Sequence, residues 1–222
     1  MRARKKKWAE DELSENELII GEAAKFKGNW ERVFGNQNPI YVEIGCGMGT
    51  FIVESAKGMS EVNFLGLERV KMVIVSGARK IREYNEESGR EKPLQNLRFI
   101  LDDAATLSEL FAPDEISRLY LNFSDPWDRK KKWAKRRLTH RNFLNLYKEM
   151  LGGDKEIYMK KDNRNLFEFS LNEFVDNGFA IRNISLDLHN SPWAEGNIQT
   201  EYEAKFSAKG MPIYRVEAYI KA

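Results

Sequence analysis

Short apolar runs rich in β-branched and aromatic residues recur along the chain. Between them, apolar positions repeat every three or four residues, as in amphipathic helices. The runs predict strands at residues 40–44, 62–67, 97–101, 118–123 and 156–160. The segments between them predict helices that begin at Thr50 or cover residues 70–84, 105–111, 138–151 and 165–175. This alternation is typical of a mostly parallel sheet with right-handed crossovers.

The two ends of the chain depart from this alternation. Residues 17–34 have a helix-like spacing broken by Gly21 and Gly28, which predicts one or two short lead-in helices. Residues 179–188 and 213–220 predict two final strands that form an antiparallel pair. We interpret residues 1–35 as a basic tail with a lead-in helix, and residues 36–222 as a single α/β domain.

The net charge is only +2, but the basic residues are concentrated. Residues 129–137 hold seven Lys or Arg, interrupted only by Trp133 and Ala134, and a second basic cluster occupies the first seven residues. Clusters of this kind attract polyanions such as nucleic acid. A charge run by itself is also typical of a solvated surface, so the run alone leaves both interpretations open.

Other classes of protein find little support in the composition. Cys46 is the single cysteine, which excludes an internal disulfide, and His140 and His189 lie far apart in sequence, so we expect no metal site. No apolar run reaches the roughly 18 residues that a membrane span needs. The N-terminal charges are not followed by an apolar segment like that of a secretory signal, so we expect a cytoplasmic protein.

A glycine-rich turn follows the first predicted strand and precedes a helix. Gly45, Gly47 and Gly49 have the spacing G-x-G-x-G, and glycines there let the backbone approach a ligand closely. The next strand ends in Glu68, where an acid can bind both hydroxyls of a ribose. The third strand ends near Asp103, which can accept from an adenine amino group, and Glu43 before the turn suits a cationic ligand. This ordered set predicts a nucleoside cofactor.

The fourth strand runs into Ser124-Asp125-Pro126-Trp127 and then into the basic run. Pro126 cannot continue a central ladder, so the strand is expected to stop near Phe123. Sites in open α/β sheets form outside the carboxyl ends of the strands. Asp125 is therefore predicted to lie where chemistry occurs, next to a surface suited to a phosphate backbone.

The combination of these motifs resembles the class I S-adenosylmethionine-dependent methyltransferases. The segments NFSDPW, KRRLT, KKDN and TEYEAKF, in this order, are similar to the bacterial tRNA (guanine-N7-)-methyltransferase family. The resemblance implies a Rossmann-like, mostly parallel sheet of seven strands with an antiparallel last strand and helices on both faces. It also implies methyl transfer from S-adenosylmethionine to N7 of a guanine in the variable loop of tRNA.

Site residues follow from the resemblance together with the motifs. Asp125 and Asp162 are predicted to be catalytic, with no nucleophile or strong general base, because the N7 lone pair needs no deprotonation. The predicted cofactor contacts are Glu43, Gly45, Gly47, Gly49, Glu68, Asp103 and Asp125. The predicted substrate contacts are Arg129, Lys130, Asp162, Thr200, Glu201, Tyr202 and Glu203. The predicted contacts to the tRNA backbone are Lys131, Lys132, Lys135, Arg136 and Arg137.

One departure from the family pattern leaves a choice open. The family has Pro-Lys directly after the tryptophan, whereas this chain has Asp128-Arg129, so either Arg129 or Lys130 takes the place of the substrate lysine. Three other functions compete: methylation of an exocyclic amine, nicotinamide-dependent redox chemistry, and RNA binding without catalysis. The dinucleotide-binding pattern is G-x-G-x-x-G, and this chain has Thr50 where that pattern has its third glycine. This difference and the presence of Glu43 argue against the nicotinamide cofactor. We expect a monomer or a homodimer.

Overall fold

The computed structural model describes residues 16–87 and 94–221. Contacts between Cα atoms divide the chain into two compact units, the first ending at Phe111 and the second beginning at Ala112. Four of the described strands belong to each unit. The predicted N-terminal tail lies mainly outside the described residues, and the predicted domain boundary near residue 35 stays a prediction. No helix in the described ranges is long and apolar enough to cross a bilayer.

Parallel strands alternate with helices in the first unit, as the sequence predicts. Its strands lie in the order β1-β4-β3-β2 and all pair in parallel. They are β1 (Ile19–Ile20), β2 (Ile40–Ile44), β3 (Asn63–Glu68) and β4 (Leu97–Leu101). The helices are α1 (Glu31–Phe34), α2 (Thr50–Gly58), α3 (Lys71–Glu87) and α4 (Leu107–Leu110), with 3₁₀ turns at Ala23–Phe26 and Ala104–Thr106.

The lead-in segment is only partly helical. The helical interpretation of residues 17–34 is wrong for Ile19 and Ile20, which form strand β1 and pair with Phe99 and Ile100 of β4. Two adjacent β-branched residues fit a pleated strand better than a helix. The 3₁₀ turn and α1 confirm the helical part. Helix α3 also extends to Glu87, three residues beyond the predicted end at 84.

One buried aromatic ring organises the core behind the glycine turn. Phe99 of β4 is fully buried, and its ring touches the positions where Gly66 of β3 and Gly77 of α3 would carry a Cβ, at 2.8 and 2.7 Å. A Cβ on Gly49 would also lie 3.3 Å from this ring. Phe99 can therefore fill this space only because three neighbouring residues have no side chain.

The second unit contains both parallel and antiparallel pairs, in the order β5-β6-β8-β7. Strands β5 (Ile116–Asn122) and β6 (Leu151–Lys161) are parallel. Strand β8 (Tyr214–Tyr219) is antiparallel to β6 and to β7 (Ala180–Ser185), which confirms the predicted antiparallel last strand. The helices are α5 (Arg141–Met150), α6 (Arg164–Asp176) and α7 (Glu201–Ser207), with 3₁₀ turns at Lys131–Arg136 and Leu188–Asn190. The described residues thus form eight strands where seven are predicted, and β1 is the additional one.

Gly152 and Gly153 directly follow the predicted helix at residues 138–151, and they lie within strand β6. Helix α5 ends at Met150 and β6 begins at the next residue, so both glycines lie inside the strand. A Cβ on Gly152 would lie 2.1 Å from the Asp114 carbonyl oxygen, which means that another backbone segment occupies that space. Strand β6 is consequently longer than the predicted residues 156–160.

Candidate active site

The glycine turn in the first unit has the backbone shape that only glycine adopts easily. Gly45, Gly47 and Gly49 have φ angles of +76°, +58° and +78°, in the left-handed region. A Cβ on Gly45 or Gly47 would meet nothing within 4 Å among the described residues, so the turn borders open space. A ligand could therefore approach the backbone of these two residues closely.

Glu68 fixes the geometry of the same turn. Its Oε2 accepts a hydrogen bond from the Gly47 N–H at 3.2 Å, and its Oε1 accepts from the Val70 N–H at 2.9 Å. The Leu67 carbonyl meanwhile accepts from the N–H groups of Gly45 and Cys46. The carboxylate is partly exposed and keeps lone pairs for further donors, so it can both hold the turn and bind hydroxyl groups.

Glu43 and Asp103 carry the other two predicted cofactor carboxylates, in contrasting surroundings. Glu43 is 2% exposed in β2, whereas Asp103 is exposed after β4. Asp103 accepts from the Ala105 N–H at 3.0 Å and lies 3.8 Å from an Arg69 nitrogen. Carboxylates within or directly after three neighbouring strands, together with an open glycine turn, fit the nucleoside and cationic groups of S-adenosylmethionine.

The loop that carries Asp125 is held in an unusual conformation in the second unit. Phe123 and Trp127 have φ angles of +51° and +48°, which non-glycine residues adopt only when surrounding contacts fix them. One such contact comes from Lys161, whose Nζ donates to the Ser124 carbonyl. Another comes from Arg137, whose Nε donates to the Pro126 carbonyl at 2.8 Å. Asp125 itself is exposed.

Asp162 follows β6 and is joined to helix α7 through Tyr202. The Tyr202 hydroxyl donates to Asp162 Oδ2 at 3.0 Å, and the tyrosine ring packs against Phe123 and Phe206. Partial burial, followed by the charges of Asp162 and Asp125, raises the pKa of Tyr202 to about 12. The hydroxyl therefore keeps its proton at neutral pH and acts as a donor to Asp162. The structure thus joins two predicted substrate-contacting residues.

Glu203 is completely buried, unlike the other predicted substrate contacts. Its Oε2 accepts from Lys160 Nζ at 2.6 Å, its Oε1 accepts from Asn197 Nδ2 at 2.7 Å, and His189 Nε2 lies 3.3 Å from Oε1. Lys160 also donates to the Ile198 carbonyl at 2.7 Å. The arrangement secures the start of α7, where Thr200 caps the helix by accepting from the Glu203 N–H at 2.9 Å.

The basic run forms a 3₁₀ turn, and two tryptophans of this segment contact each other. Trp127 and Trp133 meet edge to face with ring centres 6.1 Å apart, and Arg136 lies over both rings at 4.9 and 5.8 Å. Six cations of the run are exposed: Arg129, Lys130, Lys131, Lys132, Lys135 and Arg136. Arg137 is partly buried and also lies 4.4 Å over the Phe169 ring, so it supports the fold of this segment.

Residues 37–216 match the model of a family described as "Putative methyltransferase". The tRNA (guanine-N(7)-)-methyltransferase of Bacillus subtilis (strain 168) is 48% identical over 218 residues, which cover 98% of each chain. That of Brevibacillus brevis (strain 47) is 50% identical, also over 98% of each chain. Among solved structures, the 16S rRNA methyltransferase KamB matches 88% of this chain and 94% of its own, with a TM-score of 0.62 and 11% identity.

These comparisons identify the class and then the family. The structural likeness to KamB concerns the fold and confirms the predicted class I methyltransferase architecture. The sequence likeness is far closer and extends over nearly the whole chain. The chain belongs to the tRNA (guanine-N(7)-)-methyltransferase family.

Sequence reasoning gave no role to the two lysines of the KKDN segment. Lys160 and Lys161 are 6% and 2% exposed, although lysine is rarely buried. The sequence signal is weak, because Lys160 ends the predicted strand at residues 156–160 and Lys161 follows that strand and precedes Asp162. The partners of the lysines, Glu203 and the Ser124 carbonyl, lie about 40 residues away in sequence and could not be identified from the strand itself.

Proposed function

We propose that this chain transfers the methyl group of S-adenosylmethionine to N7 of a guanine in the variable loop of tRNA. The observation that carries the proposal is the full-length similarity to relatives named for methylation of guanine N7 in tRNA. Two groups of described residues, one in each unit, support the proposal independently of each other. The first unit offers groups that suit the cofactor, and the second offers groups that suit a cationic base and a polyanion.

In the first unit, the glycine turn and three carboxylates would hold the cofactor. Glu68 suits the ribose hydroxyls, Asp103 suits the adenine amino group, and Glu43 suits the positive charge of the methionine portion. The open backbone at Gly45 and Gly47 leaves room for a ligand. When bound, S-adenosylmethionine supplies a methyl group on a sulfonium, which a neutral nitrogen lone pair can attack.

In the second unit, two carboxylates would receive the guanine. N7 carries a lone pair on the major-groove edge and needs no deprotonation, so the chain requires no strong general base. Methylation leaves the base positively charged, and Asp125 and Asp162 would stabilise that charge as it develops. Their oxygens can also accept from the N1–H and amino group of the base. The contact of Asp125 with the cofactor stays a prediction.

Glu203 takes a different role in this proposal from the one that the sequence predicted. Since its carboxylate is fully buried and bonded to Lys160 and Asn197, it would position Thr200, Glu201 and Tyr202 rather than touch the base. Tyr202 would in turn orient Asp162 through its hydroxyl. Glu203 thus acts on the substrate through neighbouring residues.

The exposed cations of the basic run would bind tRNA phosphates, which position the substrate without reading its sequence. Arg129 and Lys130, nearest to the Asp125 loop in sequence, would contact the tRNA next to the target guanine. The partly exposed rings of Trp127 and Trp133 would border the same surface. We place this activity in the cytoplasm, with the protein acting as a monomer or a homodimer.

The proposal is tested by incubating unmodified bulk tRNA with the protein and methyl-labelled S-adenosylmethionine, followed by nucleoside analysis. We expect the label in 7-methylguanosine. Label on an exocyclic amine would keep the methyltransferase but overturn the assignment of N7. Tight binding of tRNA without any transfer would overturn the catalytic proposal in favour of an RNA-binding role.

A further inference from the structure

Lys161 is a buried cation attached to the loop that carries Asp125. It is 2% exposed at the end of β6, its Nζ donates to the Ser124 carbonyl, and the Phe123 ring centre lies 5.9 Å from Nζ. Removing an ammonium group from water is costly unless other groups compensate. Lys161 is bonded to the residue before Asp125 and directly precedes Asp162, so both predicted catalytic carboxylates can compensate its charge.

Two carboxylates of the candidate site act on this ammonium group. Burial lowers the pKa of Lys161 to about 8, and the negative charges of Asp162 and Asp125 act in the opposite direction. The same two carboxylates act on Tyr202, whose hydroxyl is bonded to Asp162. Lys161, Tyr202 and the two aspartates therefore form one electrostatic cluster within the second unit.

We propose that Lys161 is a positioning residue for methyl transfer, which holds residues 124–127 through the Ser124 carbonyl and balances the charges of Asp125 and Asp162. The inference rests on the proposed function. Two carboxylates that share a site without a cation repel each other. With Lys161 protonated, the two aspartates and the lysine carry a net charge of −1, which still favours a cationic base.

The hydrogen bond from Lys161 Nζ to the Ser124 carbonyl anchors the loop, and its strength depends on the protonation state of Lys161. An ammonium group makes a stronger hydrogen bond than a neutral amine, so the hold on Ser124 weakens as the pH rises through about 8. Among the described residues, the titratable groups that act on or pair with Lys161 are Asp162 next to it, Asp125 on the loop and its strand partner Tyr214 on β8, and Tyr202 on α7 is bonded to Asp162. Tyr202, with its pKa of about 12, keeps its proton through this range.

Two variants of the full chain separate this role from simple structural support. Lys161→Met keeps the length of the side chain and removes the charge, and Lys161→Arg keeps a cation that does not titrate. The readouts are hydrogen exchange over residues 121–130, single-turnover methyl transfer to tRNA between pH 6.5 and 9, and the affinities for S-adenosylhomocysteine and tRNA. Thermal unfolding confirms that each variant is folded.

For Lys161→Met we expect faster hydrogen exchange in residues 121–130 and a single-turnover rate reduced by about ten- to a hundredfold, since small misplacements of reacting groups have effects of that size. The affinities for the cofactor product and for tRNA change by less than about twofold, because groups outside the cluster dominate them. The wild-type rate declines above pH 8, and Lys161→Arg retains most of the rate without that decline.

Unchanged exchange and an unchanged rate in Lys161→Met would overturn the inference. A second result would also overturn it. If the rate falls only at subsaturating tRNA, in proportion to a loss of tRNA affinity, and the single-turnover rate constant at saturating tRNA is unchanged, Lys161 serves binding alone. If the wild type transfers no methyl group to tRNA, the proposed function fails. Hydrogen exchange still tests the anchor in that case, and equal exchange in wild type and Lys161→Met refutes it.

Discussion

Replacement of Lys160 by methionine tests the buried ion pair that secures the start of α7. Lys160 and Glu203 are joined at 2.6 Å, with 8% and 0% of their side chains exposed. Lys160→Met leaves the Glu203 carboxylate in the interior with Asn197 Nδ2 as a donor, and it removes the donor to the Ile198 carbonyl. Breaking a buried pair in this way costs about 3–5 kcal/mol of unfolding free energy, because a buried charge loses its compensation.

The assay is urea unfolding of wild type and variants at neutral pH, with the free energy obtained by linear extrapolation. The double variant Lys160→Met/Glu203→Gln removes both charges and is expected to recover most of the loss, since a neutral pair of similar volume can replace a buried ion pair. Arg164→Met is the matched control: it breaks the exposed Arg164–Glu168 pair at 2.8 Å and is expected to leave the unfolding midpoint unchanged.

Two results would refute this reasoning. A loss below about 1 kcal/mol in Lys160→Met would mean that water or a rearranged side chain compensates Glu203. A double variant no more stable than the single one would mean that the loss comes from packing or from the Ile198 contact rather than from the unpaired carboxylate. In either case the account of Glu203 as a positioning residue would lose its energetic basis.

Two further predictions concern the packing around the buried Phe99 ring and the basic run. Gly66→Ala places a Cβ 2.8 Å from the buried Phe99 ring and is expected to cost about 1–3 kcal/mol of unfolding free energy. The control Gly58→Ala, whose Cβ would meet nothing within 4 Å among the described residues, is not expected to destabilise the fold. Thermal unfolding of both variants checks this, and equal stability would contradict the packing argument. Lys131→Ala/Lys132→Ala is expected to reduce the steepness of log tRNA affinity against log salt concentration by about 2. Lys25→Ala/Lys155→Ala, outside the run, is the control. An unchanged slope in the first variant would show that the run is a solvated surface.

Local signals in the sequence were sufficient for most of the fold and for the cofactor side of the site. The glycine turn and Asp103 follow strands and Glu68 ends one, and the spacing of short apolar runs identifies those strands. Their positions depend on neighbours in sequence, so periodicity and turn chemistry capture them. The antiparallel final pair was also predictable, because two β-rich segments follow the last helix-strand alternation.

Features that depend on distant parts of the chain could not be predicted in this way. Ile19 and Ile20 form a strand because β4, about 80 residues later, offers a free edge. Gly152 and Gly153 lie within a strand because the Asp114 backbone approaches them, and no local pattern reveals that contact. Lys160 and Lys161 are lysines that composition alone assigns to the surface, and only the tertiary contacts with Glu203 and Ser124 explain why they are buried.

The most direct test of the central claim removes the acceptor atom from the substrate. One tRNA transcript is prepared with guanosine and another with 7-deazaguanosine, in which a C–H group replaces N7 while the Watson–Crick edge is unchanged. Single-turnover transfer from methyl-labelled S-adenosylmethionine is then measured on both, together with the affinity for each transcript. The account predicts transfer to the guanosine transcript, none to the 7-deazaguanosine transcript, and similar affinities for the two. Comparable transfer to both would show that the methyl group goes to another atom and would contradict the account.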